Sequence, residues 1–211
     1  MATTTKTSRS RKLVSGHKHG RVPRAVRQEQ LLDVAEALFT RQGFEYTSIE
    51  DVARQAGVTR PIIYAHYGSK EGLYLACVKR ARADYEAAML ETFASTTDPR
   101  RQLERGADLY FSMIERDPKR WLLLFGGAAV PLGGELGQQL TALRIQTVRH
   151  VAAQLRAHRS HMKDEHLEAA AHAISGIGEQ LGLWWMRRPD VPKAQVISYY
   201  CDFIWNGIAN P

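Results

Sequence analysis

Among the first thirty residues, Lys6, Arg9, Arg11, Lys12, Lys18, Arg21, Arg24 and Arg27 face a single acid, Glu29. That excess accounts for the whole formal charge of +7, because the rest of the 211-residue chain balances. Cations gathered in this way can each meet a phosphate and release condensed counterions, which is how a basic arm holds nucleic acid. A solubilising tail has the same composition, so charge alone leaves both readings open. Catalytic chemistry has no comparable seat. Gly176-Ile177-Gly178 is not followed by a glycine at position 181, and the chain has neither a Gly-Lys-Ser/Thr phosphate loop nor a Gly-x-Ser-x-Gly elbow. His158, His161 and His166 lie near Asp164 and Glu165, but in a polar stretch between helices without a recognised metal-ligand spacing. No catalytic residue, metal or cofactor is therefore expected.

Composition narrows the class further. With 44% hydrophobic and 24% charged residues the chain can bury a core. Its two cysteines, Cys77 and Cys201, lie far apart amid apolar residues, which points to reduced thiols rather than a disulfide framework. No apolar run approaches the roughly 18 residues a membrane span needs, and no hydrophobic stretch follows the basic start as it would in a signal peptide. A cytoplasmic protein without a membrane partner is the expectation.

The elements follow from spacing. Residues 1–21 carry no periodicity and are expected to be disordered. Pro23 suits a first helical turn, and Leu31, Leu32, Val34, Ala35, Leu38 and Phe39 then repeat at helical spacing until Gly43. Ser48 can cap a second helix, with Asp51 reaching back as in a capping box, and Gly57 ends it. Thr59 can cap a third helix near Arg60 to Tyr67, with Pro61 in its first turn, and Gly68 closes it. Ser69 caps a fourth through Leu73, Leu75, Val78, Tyr85, Met89 and Phe93. Two short helices joined by a glycine-containing turn make a helix-turn-helix, or an ordinary helical corner, and the basic arm favours the first.

The stretch Thr47 to Tyr74, TSIEDVARQAGVTRPIIYAHYGSKEGLY, with LLDVAEALFTRQGFEYTS leading into it, resembles the DNA-binding domain of the TetR family of transcriptional regulators. The resemblance covers about Arg24 to Val78. It implies an all-α, nine-helix architecture: a disordered basic arm over 1–21, a three-helix helix-turn-helix domain over 22–68, and a helical ligand-binding and dimerisation domain over 69–211. It also implies that Thr59, Arg60, Pro61, Tyr64, His66 and Tyr67 face DNA, that Ser48 and Lys70 hold phosphates on either side, and that Arg24 adds a DNA contact. Arg60 is the candidate reader, since a guanidinium can bond guanine O6 and N7 together; a phosphate contact is the alternative. Tyr64 suits a phosphate, and His66 either a phosphate or packing. Ile62 departs from the family, where a small polar residue is common. Ile62 and Ile63 cannot share one helix face, so at least one is expected to pack inward.

Beyond Asp98 the chain reads as further helices. Asp98-Pro99 and Asp117-Pro118 start two of them, and Gly126 to Gly137 is a flexible connector. A long helix runs through Leu140 to Leu155, one spans about Asp164 to Arg187, and the last about Pro192 to Ala209. The resemblance implies that the last two helices pair between subunits, with Ala169, Ala173, Ile177, Leu181, Trp185, Val196, Tyr199 and Phe203 as contributors. A core within one subunit is the alternative. It implies a ligand pocket as well, for which Phe111, Trp121, Phe125, Trp184 and Trp185 could supply aromatic walls or plain core. The function expected is a sequence-specific regulator, a repressor released from a pseudopalindromic operator by a small apolar or aromatic ligand. The other classes weighed are a nonspecific architectural DNA-binding protein and a helical enzyme.

Overall fold

The computed structural model describes residues 22–125 and 133–207. Among them nine α-helices and no strands occur: α1 (Arg24–Gln42), α2 (Ile49–Ala56), α3 (Arg60–Tyr67), α4 (Lys70–Ala94), α5 (Pro99–Arg116), α6 (Pro118–Phe125), α7 (Gly134–His158), α8 (Asp164–Trp185) and α9 (Lys193–Gly207). The basic arm over 1–21, the first part of the connector (126–132) and residues 208–211 lie outside the described residues. The second part of the connector differs from expectation: Gly133 caps α7 and residues from Gly134 onward are helical, with Thr141 Oγ1 donating back to the Gly137 carbonyl at 2.9 Å. Pro23 also stands one position earlier than expected, as the residue that caps α1, and its carbonyl accepts the first helical bond from Arg27.

The chain forms two compact units, one ending at Ala81 and one beginning at Arg82, so the first three turns of α4 belong to the first unit. The reason is packing: Tyr74 meets Phe39 edge-on with ring centroids 5.0 Å apart, the Cys77 thiol lies against the Leu32 carbonyl, and Arg80 reaches α1. Leu31, Ala35, Phe39, Val52, Ile63, Leu73 and Val78 form the core of this unit. Ser48 and Asp51 make the reciprocal capping box at the start of α2, and Gly57 ends it at φ +67, a left-handed conformation that glycine adopts without strain. Gln30, buried in α1, donates to the Ala56 carbonyl at 2.9 Å and so satisfies the C-terminal end of α2. Arg80 pairs with Glu29 at 3.0 Å, Asp33 at 2.8 Å and Glu36 at 2.6 Å. These charge-assisted bonds fasten α4 to α1 and push the guanidinium pKa further up.

In the second unit Phe111, Trp121, Leu124, Val148, Leu167, Ala171 and Val196 are buried. Asp98 caps α5 by accepting from the amides of Arg100 and Arg101. Gly182 sits against Trp121 so closely that a Cβ there would lie 2.8 Å from the indole. Arg82 is 5% exposed, and its guanidinium donates to the Leu124 carbonyl at 2.6 Å and to Thr147 Oγ1 at 2.8 Å, tying α4 to α6 and α7. Among the described residues no helix is long and apolar enough to cross a membrane, and no three His, Cys, Asp or Glu side chains gather as metal ligands.

Candidate nucleic-acid interface and ligand cavity

Helix α3 has one inward residue and an outward row. Ile63 is fully buried, which anchors the helix on the first unit, while Arg60, Pro61 and Tyr64 are exposed and Ile62 is half-buried. Thr59 precedes them in extended conformation, and its side chain makes no capping bond. The two isoleucines thus divide as the helix geometry requires, Ile63 inward and Ile62 at the edge of the open face. Arg60 Nη1 lies 3.3 Å from Glu50 Oε2 on α2, with both side chains largely in solvent. Ser48 is exposed at the start of α2, where its hydroxyl donates to Asp51 Oδ2 at 2.6 Å and accepts from the Asp51 amide. The bond to Ser48 holds the Asp51 carboxyl below its ordinary value.

Two of the residues expected at DNA also make bonds within the unit. Tyr67 is half-buried and its hydroxyl donates to the Gln28 carbonyl of α1 at 3.0 Å, so it fastens α3 instead of presenting a polar tip outward; burial pushes its pKa up. The Lys70 ammonium donates to the Glu45 carbonyl at 3.2 Å and lies 4.4 Å from the centre of the Phe44 ring, which holds it at the junction of α3 and α4. His66 is half-buried, and its Nδ1 has no hydrogen-bond partner among the described residues. Burial and then the charges of Arg24 and Arg27 lower its pKa, so the ring is neutral at pH 7. Arg24 opens α1 and is exposed. Tyr46, which the sequence does not single out, is 84% exposed two residues before Ser48. An isolated tyrosine in a loop carries no pattern that would have marked it.

The second unit encloses a cavity of about 410 Å³, within the range of small-molecule sites. Of the five aromatic residues expected around a pocket, only Phe125 lines it. Phe111 and Trp121 are 0% and 1% exposed and form the layer behind Tyr110, with ring centroids 5.3 Å and 6.0 Å from it. Trp185 is buried and its indole donates to the Val191 carbonyl at 2.8 Å, closing the turn between α8 and α9. Trp184 is half-buried and meets Tyr199 at 6.4 Å, away from the cavity lining. The lining instead includes Tyr85, Met89, Tyr110, Thr147 and Tyr200, residues that their spacing alone did not separate from core.

On the outer face of α8 and α9, Ala169 and Ala173 are exposed, Ile177 and Leu181 are half-buried, and Tyr199 and Phe203 are 38% and 56% exposed. Trp185 and Val196, expected on the same face, belong to the core within the unit.

Comparison with known proteins agrees with this arrangement. Residues 31–77 match the family model described as bacterial regulatory proteins of the tetR family, and residues 99–207 match the one described as a tetracyclin repressor-like C-terminal domain. The HTH-type transcriptional activator FasR of Mycolicibacterium smegmatis is 27% identical over 100% of this chain and 96% of its own. The HTH-type transcriptional regulator EthR of the same species is 30% identical over 44% of this chain and 43% of its own. Among solved structures, a TetR-like transcriptional regulator from Rhodococcus sp. RHA1 is 26% identical, covers 90% of this chain and 100% of its own, and superposes with a TM-score of 0.68.

Proposed function

Because the chain belongs to the TetR family of bacterial transcriptional regulators, we propose that it binds a specific pseudopalindromic operator as a homodimer and is released by a small, mainly apolar ligand. The observation that carries this reading is the division of α3, with Ile63 fully buried beneath and Thr59, Arg60, Pro61 and Tyr64 open above. A helix so presented can enter a major groove with its first turn against the base edges. Arg60 reads a base there. Ser48, Tyr64, His66, Lys70 and Arg24 are assigned to phosphates, and Tyr67 to holding the helix.

Dimerisation is supported by the apolar outer face of α8 and α9, where Phe203 is 56% exposed and Tyr199 stacks on it at 6.5 Å. A two-fold pair of reading heads about 34 Å apart meets successive major grooves of an inverted repeat. The cavity supports ligand control: occupancy that favours one arrangement of the dimer shifts the population bound to DNA. DNA binding of this kind puts the protein in the cytoplasm. A second reading, in which the bound protein promotes transcription, is favoured by one observation, that the relative matched over the whole chain is named an activator.

A mobility-shift titration of fragmented genomic DNA against excess random duplex, at stated salt, tests the reading. Retention of a few fragments under competition is expected. Uniform loss of all fragments would point to architectural binding without sequence preference. A reporter placed behind a retained fragment then gives the sign, since repression and activation move it in opposite directions.

A further inference from the structure

Three phenols gather at the inner end of the cavity, away from the exposed His158 and His161 at its mouth. The Tyr85 and Tyr110 rings stand 6.4 Å apart, and both pack on Phe125, at 5.4 Å and 5.2 Å. The Tyr110 and Tyr200 rings meet over Gly178, where a Cβ would lie 3.5 Å from one and 3.4 Å from the other. The Tyr110 hydroxyl is shut off from solvent with no hydrogen-bond partner among the described residues. The Trp121 indole, with ring centroids 6.0 Å from it, is a donor only, so it leaves the phenol proton without an acceptor. Burial pushes the pKa of all three phenols up, and they stay protonated, as hydrogen-bond donors.

The charges around this end are already spent. Arg82 is outside the lining, and its guanidinium donates to the Leu124 and Leu143 carbonyls at 2.6 Å and 3.5 Å and to Thr147 Oγ1 at 2.8 Å. Glu86 and Glu179 act on Arg82, and Arg144 pairs with Glu179, so this group holds two charges of each sign. Thr147 is spent too, since its hydroxyl accepts from Arg82 and donates to Glu86 Oε1 at 3.2 Å. At the mouth the His158 Nε2 proton is given to the Gln102 oxygen at 2.6 Å, and Arg159 is engaged by another group of the chain. No aspartate or glutamate lines the cavity among the described residues. A charged ligand there would lose its water without gaining a free countercharge. Tyr110 and Gln102, eight residues apart on α5, set the length of the space at ~12 Å, longer than a single ring.

We propose that the cavity takes a neutral, elongated carbonyl compound, its oxygen accepting from the phenol cluster of Tyr85, Tyr110 and Tyr200 and its apolar body running over Met89 toward Gln102. This inference rests on the cavity being the effector site proposed above. A ketone, quinone or ester oxygen supplies the acceptor that the phenols lack and brings no charge to be stripped of water. An ammonium head would find the Leu124 and Leu143 carbonyls occupied by Arg82 and no carboxylate in the lining. A carboxylate head would find Arg82 behind Thr147, its charge already matched.

Equilibrium dialysis of the full chain against 4-acetylbiphenyl, 4-ethylbiphenyl, biphenyl-4-carboxylate and 4-phenylbenzylammonium, rods of similar length that differ at one end, tests this. The ketone is expected to bind at one site per chain, about threefold to tenfold tighter than the hydrocarbon and about tenfold or more tighter than either ion. Y85F, Y110F and Y200F keep the rings and remove the hydroxyls. At least one of them should cut the ketone's advantage over the hydrocarbon, and the three combined should abolish it while 4-ethylbiphenyl still binds; the single variants decide if the triple does not fold. S175F, which fills the cavity one turn from Gly178, should abolish binding while helical circular dichroism is retained, and L103W serves if that variant does not fold. A ketone no tighter than the hydrocarbon, or an advantage that survives all the phenylalanine variants, would overturn the carbonyl contact while keeping the effector cavity. Tightest binding by the carboxylate or the ammonium would overturn neutrality. Binding untouched by both filling variants would remove the cavity itself, and binding by none of the four would overturn the ligand class.

Discussion

Arg60 and Glu50 form an ion pair across the turn between α2 and α3, with Nη1 to Oε2 at 3.3 Å and side chains 62% and 66% exposed. An exposed pair of this kind stabilises by at most about 1 kcal/mol, too little to compete with the guanine contact proposed for Arg60. E50Q should change folding stability by no more than about 0.5 kcal/mol and raise DNA affinity, because a carboxylate leaves the surface proposed to face DNA. R60A should cut discrimination at one base position by about 1–3 kcal/mol and leave dimerisation intact. Fluorescence anisotropy against single-base variants of the operator measures both, and an unchanged base preference in R60A would remove Arg60 from the reading role.

Tyr64 and Tyr67, three residues apart on α3, should separate cleanly. Y67F loses the bond to the Gln28 carbonyl and should cost about 1 kcal/mol in urea unfolding without altering the preferred site. Y64F should leave stability within about 0.5 kcal/mol and lower DNA affinity at all sequences alike. The opposite pattern would exchange their roles.

The contrast between these tyrosines shows what the sequence could convey. The Ser48–Asp51 capping box and the Gly57 stop are contiguous signals, and α2 and α3 are accordingly readable to the residue. The Gln28 carbonyl lies 39 residues from the hydroxyl it accepts from, and Gln30 lies 26 residues from the carbonyl it serves. No local pattern reports such partners. The cavity was less legible still. Trp121 and Phe125 sit one turn apart on α6, yet one is core and the other lining, a difference set by where α5 and α8 approach, with Gly182 admitting the Trp121 ring. The outer face of α8 and α9 divides likewise, since Trp185 shares its helical spacing with Leu181 but is drawn inward by the Val191 carbonyl.

Glu179 gives a pH signature. It is 4% exposed and paired with Arg144, and burial raises its pKa above the usual glutamate value in spite of that partner. A carboxyl whose folded pKa is raised favours folding in its protonated form. The advantage is full below the ordinary value near 4.5 and is lost as pH rises through the folded value. E179Q should flatten the fall in stability over that window, read as Tm against pH. A variant whose Tm follows the wild-type curve would show that another group titrates there.

Phe203 and Trp185 test the dimer face against the core. F203D should dissociate the dimer in sedimentation velocity while the melting transition of the second unit persists, because the ring is 56% exposed within one chain. W185A should instead destabilise by about 3–5 kcal/mol, as expected of a buried tryptophan. A dimer that survives F203D would place the interface elsewhere.

Selection of bound sequences from a random duplex library, with the purified full chain at near-physiological salt, tests the central claim most directly. Enrichment of an inverted repeat with half-sites about one helical turn apart, lost in part at one symmetric position when R60A is used, is the result the account predicts. A pool that stays random, or an enriched site that is neither repeated nor changed by R60A, would contradict it.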